Sequence, residues 1–417
     1  MFSQRTNWHL VPNRLSQAVE EMRARGAQLL DLTASNPTRV GLEQDSDSIL
    51  GALRSEKALD YDPQAKGLLE ARRAVAAYYQ ADHGILELDP ERLVLTTSTS
   101  EGYCYVFRLL CNPGDELLVP RPSYPLFEFL ADLQDVKLAP YPLVYDHGWQ
   151  MDFHSLEKAV TSRTRAVVVV HPNNPTGSYV HASEMAMLND FCRAHELALI
   201  VDEVFLDYRL PGFRGPDRDA RPHHAGSDRH LSVRPLDGDD KTASFAGNGQ
   251  ALTFTLSGLS KISALPQMKV AWIVSSGPNQ QVASAMARLE VIADTYLSMN
   301  APVQGAVPVM LVQRRRIQGQ LLERIRTNLA ELDRQVAQQN SCQRLRVEGG
   351  WYAVLRVPVT RSDEDLAIEL VREKSVLVHP GHFYDFESDG YLVLSLIAPT
   401  TEFADGVRAV LQLSARG

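Results

Sequence analysis

Lysine is scarce in this 417-residue chain: of 42 basic residues only eight are lysines, at positions 57, 66, 137, 158, 241, 261, 269 and 374, and the rest are arginines. Chemistry that needs a primary amine therefore has few candidates. An excess of positive charge is also missing. The 51 acidic residues leave a net charge of −9, which argues against a nucleic-acid-binding surface and suits an enzyme of small metabolites. Cys104, Cys111, Cys192 and Cys342 form no CxxC pair. This speaks against a zinc knuckle or a disulfide framework and predicts a reduced, cytoplasmic setting. No metal is predicted, because the adjacent His223 and His224 sit among Arg, Asp, Gly and Pro as solvated surface. No stretch reaches ~18 uninterrupted apolar residues, so no membrane span is expected. The start, MFSQRTNWHLVPNRLSQAVEEM, lacks an apolar h-region, so no signal peptide is predicted.

What is present is an α/β pattern. With 44% hydrophobic and 22% charged residues, the chain has the composition of a soluble globular protein. It is long enough for two to three domains, or one large α/β body with an appendage. Residues 66–80 carry Leu68, Leu69, Ala71, Val75 and Tyr78 near helical spacing. Residues 92–97 read as a buried strand entering a hydroxyl-rich turn, 100–111 as a helix and 112–115 as a turn. ELLVP, RAVVVVHP (165–172) and LALIVDE (197–203) are apolar runs ending in polar residues, the mark of parallel strands buried on both faces. Helices at about 153–160 and 182–195 lie between them. Such alternation predicts a mostly parallel central sheet with ligands at the carboxyl ends of its strands.

Residues 209–250, dense in Gly, Pro, Asp and Arg, read as a surface insertion. ALTFTLSGLSK resumes a strand, long helices follow at about 280–297 and 315–339, and 345–410 alternates strands and helices. The predicted organisation is an N-terminal arm or small-domain segment at 1–45, a large cofactor-binding domain at 46–285, and a smaller α+β domain at 286–417.

Lys261, in SGLSKISALPQMK, follows an apolar strand at the end where active sites collect. Desolvation there disfavours its charged form, and a lysine of lowered pKa is a good Schiff-base nucleophile; the plain alternative is a loop lysine on the surface. Three features favour the functional reading. Asp202 ends LALIVD, suited to pair with a buried cation such as a protonated pyridine nitrogen, or else to cap the next segment. Asn174, in HPNNPTG, precedes Pro175 and is pushed to an extended backbone. Its amide can donate to a phenolate oxygen, or the segment is a plain turn. Ser98, Thr99 and Ser100 precede a helix and offer hydroxyls and amides to a phosphate, or serve as an ordinary cap.

In this order the segments YDPQAKGLLEAR (61–72), LTTSTSEGY (95–103), PRPSYP (120–125), HPNNPTG (171–177), VDEVFLDY (201–208) and GLSK (258–261) resemble the class I/II aminotransferases, fold-type I enzymes that use pyridoxal 5′-phosphate. The resemblance runs from about 30 to 400. It implies a homodimer with shared active sites, acting on an amino acid and a 2-oxo acid. It also implies roles: Lys261 as the Schiff-base lysine and proton carrier, Asp202 on the pyridine nitrogen, Asn174 on the ring oxygen, Tyr124 stacked on the ring, and Ser98, Thr99 and Ser100 on the phosphate. Tyr61 would reach the neighbouring subunit's phosphate, and 294–300 would also cross the interface.

Four positions depart from the family pattern. Phe205 stands where a tyrosine is usual, Gly258 where a serine is, Lys269 where the phosphate-binding arginine is, and Val393 where the arginine for the substrate α-carboxylate is. Lysine can serve phosphate as a point charge; valine cannot pair with a carboxylate. Arg39, in ASNPTRVGL, is the candidate replacement, with Asn36 and Trp351 as further substrate contacts and Tyr352 beside Trp351 in the pocket wall. The departures at 205 and 393 keep a lyase, decarboxylase or racemase reading open. A cofactor-binding module of a transcriptional regulator and a non-catalytic binding protein are disfavoured by the acidic charge and by the retained Lys261, Asp202 and Asn174.

Overall fold

The computed structural model describes residues 1–210 and 244–415. Its centre is an eight-stranded sheet in the order Leu93–Thr96, Ala271–Ser276, Thr253–Gly258, Ala198–Asp202, Thr164–Val170, Glu116–Arg121, Lys137–Tyr145, Trp149–Met151. Only Ala271–Ser276 and Trp149–Met151 run against the others. The apolar runs behave as their composition demands, since Val167–Val170 and Ala198–Val201 are buried along their whole length. One face is covered by the helices Thr99–Leu110 and Asn279–Tyr296; Ala182–Ala194, Leu69–His83 and Ala301–Val312 contribute to the cores on the other.

Two elements escape the sequence pattern for physical reasons. The strand Lys137–Tyr145 contains Pro140 and Pro142, residues that normally argue against a strand. Lys137 N–H donates to Asp115, so the alternate nitrogens of Pro140 and Pro142 face the other edge, where pairing with the last strand covers only 143–145. The helix Ala301–Val312 carries Pro308 and is apolar nearly all round, so no amphipathic period marks it. The helix expected over 66–80 runs Leu69–His83 instead, because Gly67 sits at φ 87° and keeps 66–68 out of it.

A second, antiparallel sheet has the order Gln343–Arg344, Tyr352–Arg356, Tyr391–Ser395, His379–Pro380. Its core takes in the helices Arg314–Val336, Asp363–Lys374 and Thr400–Ser414. Leu30–Asp31 pairs in parallel with Val376–Leu377, which joins the N-terminal segment to this body. Residue 285 lies inside the helix Asn279–Tyr296, whose Leu289 and Ala293 pack into the core of the large sheet.

The insertion expected at 209–250 falls largely on 211–243, outside the described residues. At its end the expectation of surface fails: Ser244, Phe245, Ala246 and Asn248 are buried, because Ser244 and Phe245 hydrogen-bond a buried acid, Glu203. Among the described residues no helix is long and apolar enough to cross a membrane, and no group of three or more His, Cys, Asp or Glu is placed to hold a metal.

Candidate active site

The parallel strands deliver their polar ends to one edge of the sheet. Register places Val170 beside Asp202 and Asp202 beside Leu256. Two residues beyond Leu256 the strand ends at Gly258, and the short helix Leu259–Ile262 buries Leu259 and Ile262. Lys261 lies between these two buried residues. Its Nζ lies 3.4 Å from the Ser35 carbonyl oxygen, 4.8 Å from the centre of the Trp351 ring and 5.7 Å from that of Phe205. Burial among these groups pulls the amine down to about 8, against the opposing pull of the Asp202 charge. Tyr208 donates to the Lys261 carbonyl at 2.6 Å, and Gln318 to that of Ile262 at 2.9 Å, so this helix is held from behind.

Asp202 is buried. Burial raises its carboxyl to about 6; the Val204 N–H at 3.1 Å, the Tyr103 hydroxyl at 3.1 Å and the Lys261 charge pull the other way. Tyr124 is shifted up to about 12 by burial first and the Asp202 charge second, which keeps it a neutral phenol. Asn174 is buried, and its Oδ1 has no hydrogen-bond partner. Ser98 Oγ accepts from Glu101 N–H at 3.1 Å and caps the helix Thr99–Leu110. Thr99 and Ser100 occupy that helix's first turn, where backbone N–H groups are left over by the helical pattern.

The structure thus brings Lys261, Asp202, Tyr124 and Trp351 together, and puts Asn174 at the same edge of the sheet. Trp351 is fully buried in edge contact with Phe205 and Tyr208, each at 5.3 Å, so it is core as well as wall. Other expected residues lie farther out. Tyr61 is 85% exposed. Lys269 is exposed on a left-handed turn, next to Val270, whose carbonyl accepts from Leu259 N–H. Asn36 spends its Oδ1 on the Thr38 N–H and hydroxyl, holding the turn Pro37–Arg39, and Arg39 points no ion pair at any described residue. Within 294–300, Ser298 donates to Glu101 and Tyr296 stacks on Tyr105, both of its own chain.

The family profile described as "Aminotransferase class I and II" matches residues 28–402. The chain belongs to the class I and II aminotransferases. It is 27% identical over 401 residues to an alanine aminotransferase of Mycobacterium tuberculosis, covering 94% of this chain and 86% of the relative. It is 27% identical to the glutamate-pyruvate aminotransferase AlaA of Haemophilus influenzae, covering 89% and 87%. Among solved structures, an alanine aminotransferase from Pyrococcus furiosus overlays with a TM-score of 0.83 at 19% identity, all of both chains being covered. An Escherichia coli aminotransferase overlays with a TM-score of 0.79 at 22% identity, covering 100% and 98%. The enzyme is a pyridoxal-phosphate-dependent aminotransferase of fold type I, moving an amino group between an amino acid and a 2-oxo acid.

The residues of this aminotransferase fit its cofactor. A buried carboxylate with only neutral donors in direct contact and a desolvated amine are costly side by side. A pyridine ring carrying a cationic nitrogen and an aldehyde matches that acid and that amine, and its ring oxygen would accept from the Asn174 amide nitrogen. The departure at Gly258 has a local cause. A Cβ there would stand 2.7 Å from the Val270 carbonyl oxygen and 2.9 Å from Ala271 Cα, both backbone atoms of the neighbouring strand. The usual serine has no room. Gly258→Ser is expected to destabilise the aminotransferase by about 1–3 kcal/mol, measured as a lower urea midpoint with unchanged slope.

Sequence reasoning missed four groups. Ser35 offers a backbone carbonyl, which no side-chain pattern reports. Tyr103 stands one helical turn after Thr99, a spacing that points it to the same edge, and this signal was available. Tyr208 acts through the Lys261 carbonyl. Glu203 is buried, with Ser244 Oγ and Phe245 N–H each donating at 2.6 Å, and burial lifts it to about 7 against these two bonds. The sign for stability follows: the fold keeps a proton here that the unfolded chain gives up near 4.5. The stability of protonated Glu203 is therefore fully present below about 4.5 and is lost as pH rises toward and through about 7. Thermal melts of Glu203→Gln are expected to lose most of the wild type's fall in stability between pH 5 and 7; an unchanged slope refutes the assignment.

Proposed function

We propose that this aminotransferase exchanges the amino group of a small α-amino acid, alanine being the first candidate, with the 2-oxo acid partner of glutamate. The observation that carries this reading is the Lys261 amine, lowered to about 8 and facing Asp202 within a wall of Trp351 and Phe205. Rings this close to the amine favour a short side chain, and the names of the relatives point to the same substrates. Pyridoxal phosphate, when bound, supplies the electron sink that weakens bonds at the substrate α-carbon. Lys261 anchors it and, once released, removes and returns the α-proton, a task for an amine whose pKa is near the working pH. Asp202 holds the pyridine nitrogen in its charged form, with Tyr103 and Val204 N–H keeping the carboxylate in place. Asn174 binds the ring oxygen; Tyr124 covers the ring; Ser98, Thr99, Ser100 and Lys269 bind the phosphate. Trp351 bounds the substrate pocket, with Asn36 and Arg39 at its mouth, where Arg39 adds positive potential.

The exposure of Tyr61 and Leu59, at 85% and 89%, supports a homodimer in which a second subunit covers this segment and Tyr61 reaches its neighbour's phosphate. Two domains are our reading of the chain. The pairing of Leu30–Asp31 with Val376–Leu377 groups 1–45 with the smaller one, and the packing of 279–312 on the large sheet moves the boundary from 285 to the junction before Arg314.

The test is a half-reaction with single amino acids. L-alanine and L-glutamate are each expected to bleach the yellow enzyme and release stoichiometric 2-oxo acid, and added 2-oxo acid to restore the colour. Release of ammonia, or of product without bleaching, overturns the reading in favour of a lyase.

A further inference from the structure

The smaller sheet turns one face toward Lys261, and the arginine on that face, Arg356, is exposed at its far end, paired with Tyr391 and with its guanidinium 5.7 and 5.8 Å from the Tyr145 and Tyr391 rings. Ser395 Oγ hydrogen-bonds the Ala34 carbonyl, next to Ser35, whose own carbonyl lies 3.4 Å from Lys261 Nζ. Two residues back on the same face is Val393, fully buried. Its cross-strand neighbours are Val354 on one side and His379 on the other. Residues paired directly across an antiparallel sheet share a face, so Ser395, Val393 and His379 do so here. His379 Nδ1 is 3.0 Å from the Tyr384 hydroxyl. Tyr384 is buried, and its phenol stays protonated because burial holds its pKa far up. A protonated phenol can donate to Nδ1 or accept from it, so the tautomer decides the direction of this bond. With the hydroxyl as donor the hydrogen sits on Nε2, and Nε2 has no hydrogen-bond partner among the described residues. Rings form a continuous wall back to the reactive lysine. Tyr384 lies 6.4 Å from Tyr352, Tyr352 lies 6.2 Å from Phe205, and Phe205 lies 5.7 Å from Lys261 Nζ. Tyr384 is also tied to the Tyr124 loop, since its carbonyl accepts from Ser123 N–H.

We propose that His379, with its Nδ1 accepting from Tyr384, donates the hydrogen bond that holds the substrate carboxylate in this aminotransferase. This rests on the reading of the site as one for amino acids. A neutral donor replaces a bidentate cation, so the carboxylate is bound by one hydrogen bond to an imidazole rather than by a forked ion pair. Arg39 is the rival for this contact.

Four variants and a carboxylate-free probe decide between them. His379→Leu is expected to raise KM for L-alanine and for pyruvate about 10- to 100-fold, with kcat changed far less. Ethylamine, which lacks the carboxylate, should be processed no worse by this variant than by wild type. His379→Gln, which keeps a donor at similar reach, should recover much of the loss, and Tyr384→Phe should show a smaller rise in KM. In proton NMR of the wild type the His379 ring signal should shift on adding propionate but not propylamine. The proposal is overturned if His379→Leu leaves KM unchanged, if it impairs ethylamine and alanine equally, or if Arg39→Ala alone produces the rise. If wild type converts no amino acid at all, the reading of the site fails instead, and the two failures are distinguishable.

Discussion

Lys261→Ala is expected to lose turnover by about 10⁴-fold, the upper range for a positioned proton-transfer group, and to lose the visible colour of the lysine-bound cofactor. The loss is large because one side chain carries two tasks. Its amine anchors the cofactor, and the same amine then moves the α-proton. Both need the neutral form, which burial makes accessible by lowering the pKa to about 8. Lys261→Arg separates charge from chemistry. It keeps a cation of similar length whose pKa stays above ~12, so it should be as inactive as alanine. The groups placed against the Lys261 amine cannot substitute: the Ser35 carbonyl has no proton to give, and Trp351 and Phe205 have no basic atom. Single-turnover absorbance with L-glutamate measures this. A Lys261→Ala enzyme that keeps more than a few per cent of the rate, or stays yellow after dialysis, sinks the assignment.

The second large effect is expected at Asp202. Asp202→Asn should weaken pyridoxal phosphate binding and lower kcat, together by roughly 10²- to 10⁴-fold, the size of the 3–5 kcal/mol lost when one partner of a buried ion pair is removed. The carboxylate is buried and held by two neutral donors, Tyr103 and Val204 N–H. Asparagine fits that space and supplies no charge for a pyridine nitrogen. A pH signature distinguishes loss of charge from loss of packing. Burial raises Asp202 to about 6, and a bound cation would lower it. Binding therefore releases a proton at acid pH, and wild-type affinity should climb as pH rises to about 6 and level off above it. The Asp202→Asn curve should lack that rise. Titration of the apoenzyme across pH 4.5 to 8 provides the measurement. An equal slope in both proteins rules out Asp202 as the titrating partner.

Much of this architecture was readable from one sequence, for identifiable reasons. Val167–Val170 and Ala198–Val201 are buried on both faces, so their apolar runs had no polar alternation to confuse them. Lys261 stood out because lysine is rare here and because it follows such a run. The strand Lys137–Tyr145 was hidden by prolines that an open edge tolerates, and the helix Ala301–Val312 by having no polar face. Glu203 was hidden for a different reason. It adjoins Asp202 in sequence but lies on the opposite side of its strand, where its partners Ser244 and Phe245 come from a segment about 40 residues away. Gly258 looked like a lost serine and is a steric requirement.

By itself the sequence determined the α/β class and the family, and it singled out Lys261 and Asp202 as candidates. These depend on local pattern: burial periodicity within single strands, and polar residues at strand ends. Only the tertiary structure decided what surrounds them. It set the protonation of Lys261, Asp202 and Glu203, because desolvation comes from neighbours distant in the chain. It showed that Gly258 has no room for a side chain, because the obstacle belongs to an adjacent strand. And it placed His379 across from Val393, because strand register, unlike strand identity, is settled by the packing of a whole sheet rather than by the residues of one segment.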